Sequence, residues 1–212
     1  MDRLADRQKL HSRERAVLQQ SLESGTLLQN AQLQVYKVLD DWANHDMRSL
    51  ATQTYGMWAM VDLHWTGHLY RKYLIGKQVL EIMAGAGWLA KALEAHGANI
   101  RATDSMRWHK LKEWQCVHPV EKMTSNKAVR TYGKRSDVLI CSWPPYESQE
   151  MTRACQLFGP GKTIIYIGEG VGGCNADETF FNGFIERESF NIPQWSGMHD
   201  SVYIGQWYEK LD

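Results

Sequence analysis

The chain is predicted to adopt an α/β fold: a mostly parallel sheet of seven strands with a terminal antiparallel strand, preceded by an N-terminal helical extension. Three observations predict it. Residues 76–212 alternate short apolar runs with amphipathic stretches and glycine-rich turns, the pattern of strands and helices around a parallel sheet. Residues 1–75 carry apolar side chains at helical spacing and contain no proline. The last segments, ERESFN and DSVYIGQWYE, alternate apolar with polar residues as an antiparallel pair does.

Taken in order, the apolar positions from Leu4 to Leu39 predict two helices interrupted at Ser24-Gly25, and residues 41–74, dense in Trp, Tyr, His and Met, predict further helices with an aromatic face. Together they make a helical cap over 1–75, followed by an α/β domain over 76–212. Strand 1 is QVLEI (78–82), and a helix runs from Trp88 to His96 until Gly97 stops it. NIRAT (99–103) is strand 2, ending at Asp104, and Gln115–Glu121 is the expected strand 3. A helix over 126–132 leads to strand 4, DVLICS, which the pair Pro144-Pro145 forbids to continue. A helix over 150–157 reaches Gly159-Pro160-Gly161, which launches strand 5, TIIYIG.

Formal charge is zero, with 24 basic and 24 acidic side chains, so the whole molecule has no bulk attraction for nucleic acid or anionic lipid. The balance is local. Residues 101–135 carry nine bases against three acids, with Trp108, Trp114 and Tyr132 interleaved, and keep nucleic acid open as an alternative partner. No apolar run approaches the ~20 residues that span a bilayer, and no membrane partner is expected. The four cysteines form no CxxC pair and read as reduced thiols of a cytoplasmic protein. His64 and His68 are four apart, but no third ligand is identifiable, so no metal site is expected; the segment holding Trp58, His64, Trp65, His68 and Tyr70 is instead expected to form a lid.

The chemistry concentrates after strand 1. Gly85 and Gly87 make a tight turn into a helix N-terminus, where backbone N–H groups can approach a ligand, and Asp104 can accept hydrogen bonds from ribose hydroxyls. This is a nucleotide cleft. Gly85-x-Gly87-x-x-Ala90 also satisfies the dinucleotide fingerprint, so an NAD-type cofactor is the alternative; Glu81 inside strand 1 and the proline pair weigh against it.

Over roughly residues 76–170 the chain resembles the class I, Rossmann-like S-adenosylmethionine-dependent methyltransferases. EIMAGAG, from Glu81 to Gly87, is similar to their first motif, Asp104 to their ribose-binding acid, and SWPPY stands in the position of their fourth motif. Met83 replaces the first glycine of the pattern, so the turn there is expected to be less free to take positive φ. The resemblance implies S-adenosyl-L-methionine as cofactor. It further implies that Glu81, Met83, Gly85 and Gly87 face its methionine and ribose, that Ser105 and Met106 flank the adenine with Glu121 at its amino group, and that Ser142, Trp143 and Pro144 close the pocket.

Methyltransferases of DNA amino groups carry a polar acceptor directly before Pro-Pro. Here that residue is Trp143, and Ser142 lies one place too early. The prolines are instead expected to aim Trp143 and Tyr146 over the cofactor, where aromatic faces suit a sulfonium or a planar substrate. Glu169, after strand 5, is expected to act as general base or to bind a substrate amine, and Tyr146 is the second expected catalytic residue. The expected function is methyl transfer from S-adenosylmethionine to a small-molecule or other planar substrate. Two alternatives stand: an enzyme that cyclises or cleaves the cofactor, and a non-catalytic nucleic-acid-binding protein on the same fold.

Overall fold

The computed structural model describes residues 3–29, 41–108, 113–195 and 197–209. Helix α1 spans Arg3–Glu23, and α2 spans Asp41–Ser49 and continues as a π turn over Leu50–Thr54. Helix α3 spans Leu63–Leu69 and likewise runs into a π turn, Tyr70–Leu74. The stretch between them, 56–62, is not helical: Gly56 takes φ +65, and Asp62 forms a parallel bridge with Leu28. Leu28 is therefore extended, where the sequence predicted a helix; the rest of that predicted helix, 30–39, lies outside the described residues.

Beyond Gly76 the expected alternation is present. Strand β1 is Gln78–Ile82, α4 Trp88–Ala95, β2 Asn99–Asp104, β3 Val120–Lys122 and α5 Ser125–Tyr132. They are followed by β4 Val138–Ser142, α6 Glu150–Phe158, β5 Thr163–Gly168, α7 Glu178–Gly183, β6 Phe184–Asn191 and β7 Ser201–Trp207. The sheet order is β3-β2-β1-β4-β5-β7-β6, parallel except for β7, which runs antiparallel to both neighbours. This is the mostly parallel seven-stranded sheet with an antiparallel strand near the chain's end that the sequence predicted. Strand β3 is shorter than expected and starts only at Val120, because Pro119 has no N–H to give to a ladder.

Alternation along the strands sorts side chains to two faces. Val79, Ile140, Ile165, Ile167, Val202 and Ile204 pack with Leu18, Leu22, Met47, Met60, Trp65 and Leu69 of the extension and with Leu89 and Leu93 of α4. Leu80, Ile82, Leu139, Cys141, Ile164 and Tyr166 pack on the opposite face against α5, α6 and α7. The extension thus supplies half of the layer covering one face and shares its core. Two indoles fasten it above the sheet's carboxyl edge, Trp88 Nε1 donating to Tyr55 O at 2.8 Å and Trp114 Nε1 to Gln53 O at 2.9 Å. No helix among the described residues is long and apolar enough to cross a membrane.

Because this core is continuous, Leu18→Ala, at a fully buried position of α1, is expected to cost about 2–5 kcal/mol. A thermal melt followed by circular dichroism should show one transition moved down by roughly 5–15 °C; an early partial transition with the main one unmoved would mean that the extension melts independently.

Candidate active site

At the carboxyl ends of β1, β2 and β4 lies a cavity of about 590 Å³. Met83, Gly85, Asp104, Ser105, Ser142, Trp143, Pro144 and Tyr146, all expected at the site, line it. A smaller recess of about 30 Å³ continues from it beneath the loop at 56–59 and reaches Glu81.

The floor is made by the turn after β1. Gly87 is the N-cap of α4 at φ +84, and a Cβ there would meet His118 Cβ and Val120 Cγ2 at 3.0 Å, so both backbone and space require glycine. Gly85, at φ +55, is different: a Cβ on it would meet only Gly56 O at 3.5 Å, and it faces both the cavity and the recess. Its N–H donates to Asp104 Oδ2 at 3.1 Å, while Met106 N–H donates to Oδ1 at 2.6 Å. Asp104 is thereby fixed facing the cavity. Met83 adopts φ 54 despite its side chain, contrary to the expectation for a residue in the glycine's place. A left-handed L-residue costs roughly 1–2 kcal/mol, which the surrounding packing sustains.

Glu81 is 1% exposed and on the face of β1 that meets α4. Its carboxylate accepts from Ala90 N–H in the first turn of α4, yet Oε2 is buried without a partner. Burial, then the charge of Asp104, push its pKa up to about 8. The recess therefore ends in an acid short of one hydrogen bond, which fits the ammonium of an amino-acid group.

The opposite wall is the double-proline segment. Trp143 takes φ 53 immediately before Pro144, a position that ordinarily favours extended backbone. Its ring stacks on Trp58 at 5.6 Å between centroids, its backbone N–H donates to Ile167 O at 2.8 Å, and its indole Nε1 donates to Asp200 Oδ1 at 3.0 Å. Asp200 is fully buried, and burial, then Glu169, push its pKa up to about 7. Tyr146 is 61% exposed at the rim, and the neighbouring Glu147 raises its phenol.

Three expectations are corrected by geometry. Glu169 is not among the residues walling the cavity; Oε2 accepts from Cys174 N–H at 2.9 Å and Oε1 from His199 N–H at 3.3 Å, so its carboxylate ties two loops together. Glu121 lies in a separate groove of about 630 Å³, where Tyr132 donates to it at 2.8 Å and Arg101 at 3.3 Å. Of the expected lid residues only Trp58 reaches the cavity: Trp65 is core, His68 meets Phe190 edge-on at 4.9 Å, and Tyr70 stacks on His96. Among the described residues no metal-binding cluster of His, Cys, Asp and Glu occurs. Conversely, sequence reasoning missed Arg48, which comes from α2 and lines the cavity, and Asp200, which is fully buried just before β7 and holds the Trp143 indole; neither sits in a motif.

No protein-family profile matches the sequence, and no curated protein matches it. Among solved structures the chain is similar to 1,6-didemethyltoxoflavin-N1-methyltransferase of Burkholderia thailandensis, crystallised with 1,6-didemethyltoxoflavin and S-adenosylhomocysteine, at 15% identity over 79% of this chain and 85% of that one, with a TM-score of 0.47. It is also similar to magnesium protoporphyrin IX methyltransferase of Synechocystis PCC 6803 with bound SAM, at 12% identity over 81% and 99% of the two chains and a TM-score of 0.44. A mutant of MtNAS is similar over 98% of each chain, at 10% identity and a TM-score of 0.47. At these identities the similarity is one of fold.

Two expectations follow from the turn and its acid. Gly85→Ala should keep the fold at a cost of about 1–2 kcal/mol but fill the space above the turn, whereas Gly87→Ala should lower the melting temperature markedly; equal losses would show that both glycines serve packing alone. Glu81 is protonated in the fold at pH values where it is ionised in the unfolded chain, so its contribution to stability is complete below pH 4.5 and lost as pH rises through about 8. Glu81→Gln should therefore flatten the fall of melting temperature between pH 5 and 8.5; an unchanged slope would place the titration elsewhere.

Proposed function

We propose that this chain is an S-adenosylmethionine-dependent transferase that methylates a planar small molecule. The observation that carries the proposal is the cavity itself, in which a glycine turn that a Cβ would fill, an acid at the end of β2 and an aromatic double-proline wall at the end of β4 face one another. Buried Glu81 Oε2, lacking a partner at the end of the recess, supports the cofactor's amino-acid end lying there.

When bound, the cofactor supplies a methyl group activated by a sulfonium. Asp104 would hold the ribose hydroxyls while keeping its bonds to Gly85 and Met106, Ser105 and Met106 would border the adenine, and Glu81 would receive the ammonium. Trp58 and Trp143, held face to face, exclude water from one side and present π-faces that favour positive charge. Displacement at an activated methyl needs alignment and desolvation more than acid-base chemistry, so a wall of rings, with the Ser142 and Tyr146 hydroxyls available to orient the acceptor, suffices.

Calorimetry with S-adenosylhomocysteine should register binding to the native chain, and Asp104→Ala should weaken it by roughly a hundredfold, the worth of two hydrogen bonds to a charged group. No heat with the native chain, or no effect of Asp104→Ala, would end the proposal. Incubation with S-adenosylmethionine and candidate acceptors should then yield S-adenosylhomocysteine; methylthioadenosine as the product would instead establish the cyclising or cleaving alternative.

A further inference from the structure

Arg48 lines the same cavity as Asp104. It comes from the last turn of α2, and its guanidinium carbon lies 5.7 Å from the centre of the Trp143 ring. Among the described residues it forms no ion pair, and its Nε is closed off from solvent with nothing to donate to. A guanidinium cannot shed its proton at any physiological pH, so this is a permanent charge with an unused donor inside an aromatic cavity. A buried donor left in that condition is unfavourable, and a ligand that supplies an acceptor relieves it.

The neighbouring acids do not supply that acceptor. Asp200 is close enough for Arg48 to act on its ionisation, and its Oδ1 takes the indole N–H of Trp143, but its Oδ2 is buried without a partner as the Arg48 Nε is, so the two groups do not satisfy each other. Asp104 has both oxygens on backbone N–H groups at the end of β2, two strands away from Trp143. The remaining charged groups on the wall are Glu150 and Arg107. Flat surfaces dominate the rest: Trp143 stacked on Trp58 below the guanidinium, with Tyr146 and the half-exposed Trp108 toward the opening.

We propose that the acceptor is a planar aromatic carboxylate, bound with its anionic group on Arg48 and its ring against Trp143 and Tyr146. A guanidinium fork matches the two oxygens of a carboxylate, and the cavity beside it is lined by the aromatic side chains of Trp143 and Tyr146, which suit a flat ring. The proposal deepens the transferase reading and rests on it for the word acceptor. A carboxylate on the cofactor's amino-acid end would offer the same chemistry, and the experiment separates the two sources.

Indole-2-carboxylate and its neutral isostere indole-2-carboxamide are titrated calorimetrically into the whole chain, with and without saturating S-adenosylhomocysteine. The carboxylate should bind at least about tenfold more tightly than the amide, Arg48→Gln should erase the difference, and Arg48→Lys should restore part of it. Affinity for S-adenosylhomocysteine should be the same in the native chain and in Arg48→Gln, with melting curves confirming that both variants fold. Equal binding of the two probes, or of neither, overturns the proposal. So does a variant Arg48→Gln that binds S-adenosylhomocysteine tenfold more weakly yet binds 5′-methylthioadenosine unchanged, since the guanidinium then serves the cofactor. A preserved, Arg48-dependent preference for the carboxylate in a protein that binds no S-adenosylhomocysteine supports the anion site and sinks only the transferase reading.

Discussion

The arrangement of this molecule's carboxyl edge depends on one carboxylate. Asp104 accepts from Gly85 N–H on the turn after β1 and from Met106 N–H on the turn after β2, so the two turns that border the cavity are fixed relative to each other through a single side chain. With the acid in place, Gly85 is held in its left-handed conformation, the N-terminus of α4 is set against β1, and Glu81 reaches Ala90 N–H beneath it.

Backbone strain collects on the same edge. Met83, Met106 and Trp143 follow β1, β2 and β4 in turn, and each takes a positive φ that side chains disfavour. Each is a point where the chain, leaving the sheet, must turn at once rather than continue outward, and the result is a shallow rim on which a ligand lies close to backbone. Such strain persists only where the surrounding structure over-determines it. The supports are visible: Ala84 N–H donating to Thr103 O, Trp143 N–H to Ile167 O, and Ala176 N–H to Pro144 O.

How much of this could be read from the residues varied with the physics that set each element. Strands β1 and β5 were legible to the residue, because an apolar run bounded by Gly76 and Gly161 leaves few choices for a buried parallel strand. Strand β3 was not, since its length follows from the ladder that Pro119 truncates rather than from any apolar pattern. Within the site, Gly85, Asp104 and Trp143 were legible because local sequence fixes their backbone. Glu169 and Glu121 looked equally suitable, being acids at or near strand ends, but their side chains had nearer partners: backbone N–H groups for one, Tyr132 and Arg101 for the other. Arg48 and Asp200 carry no local signal at all, and only tertiary folding brings α2 and the start of β7 to the double prolines.

The reversed direction of β7 has a consequence for how such a site can change over time. Parallel strands present their last residues at the rim, whereas an inverted one inserted among them presents its first, and so the described residues of the link leading into it, 192–195 and 197–200, open onto the same rim as the glycine turn without sharing any segment with it. Mutations in that link or in α2 can remodel one end of the binding space while the glycine turn and its aspartate are inherited intact. Under the proposed function, descendants of this chain could diverge in what they modify long before they diverge in what they consume.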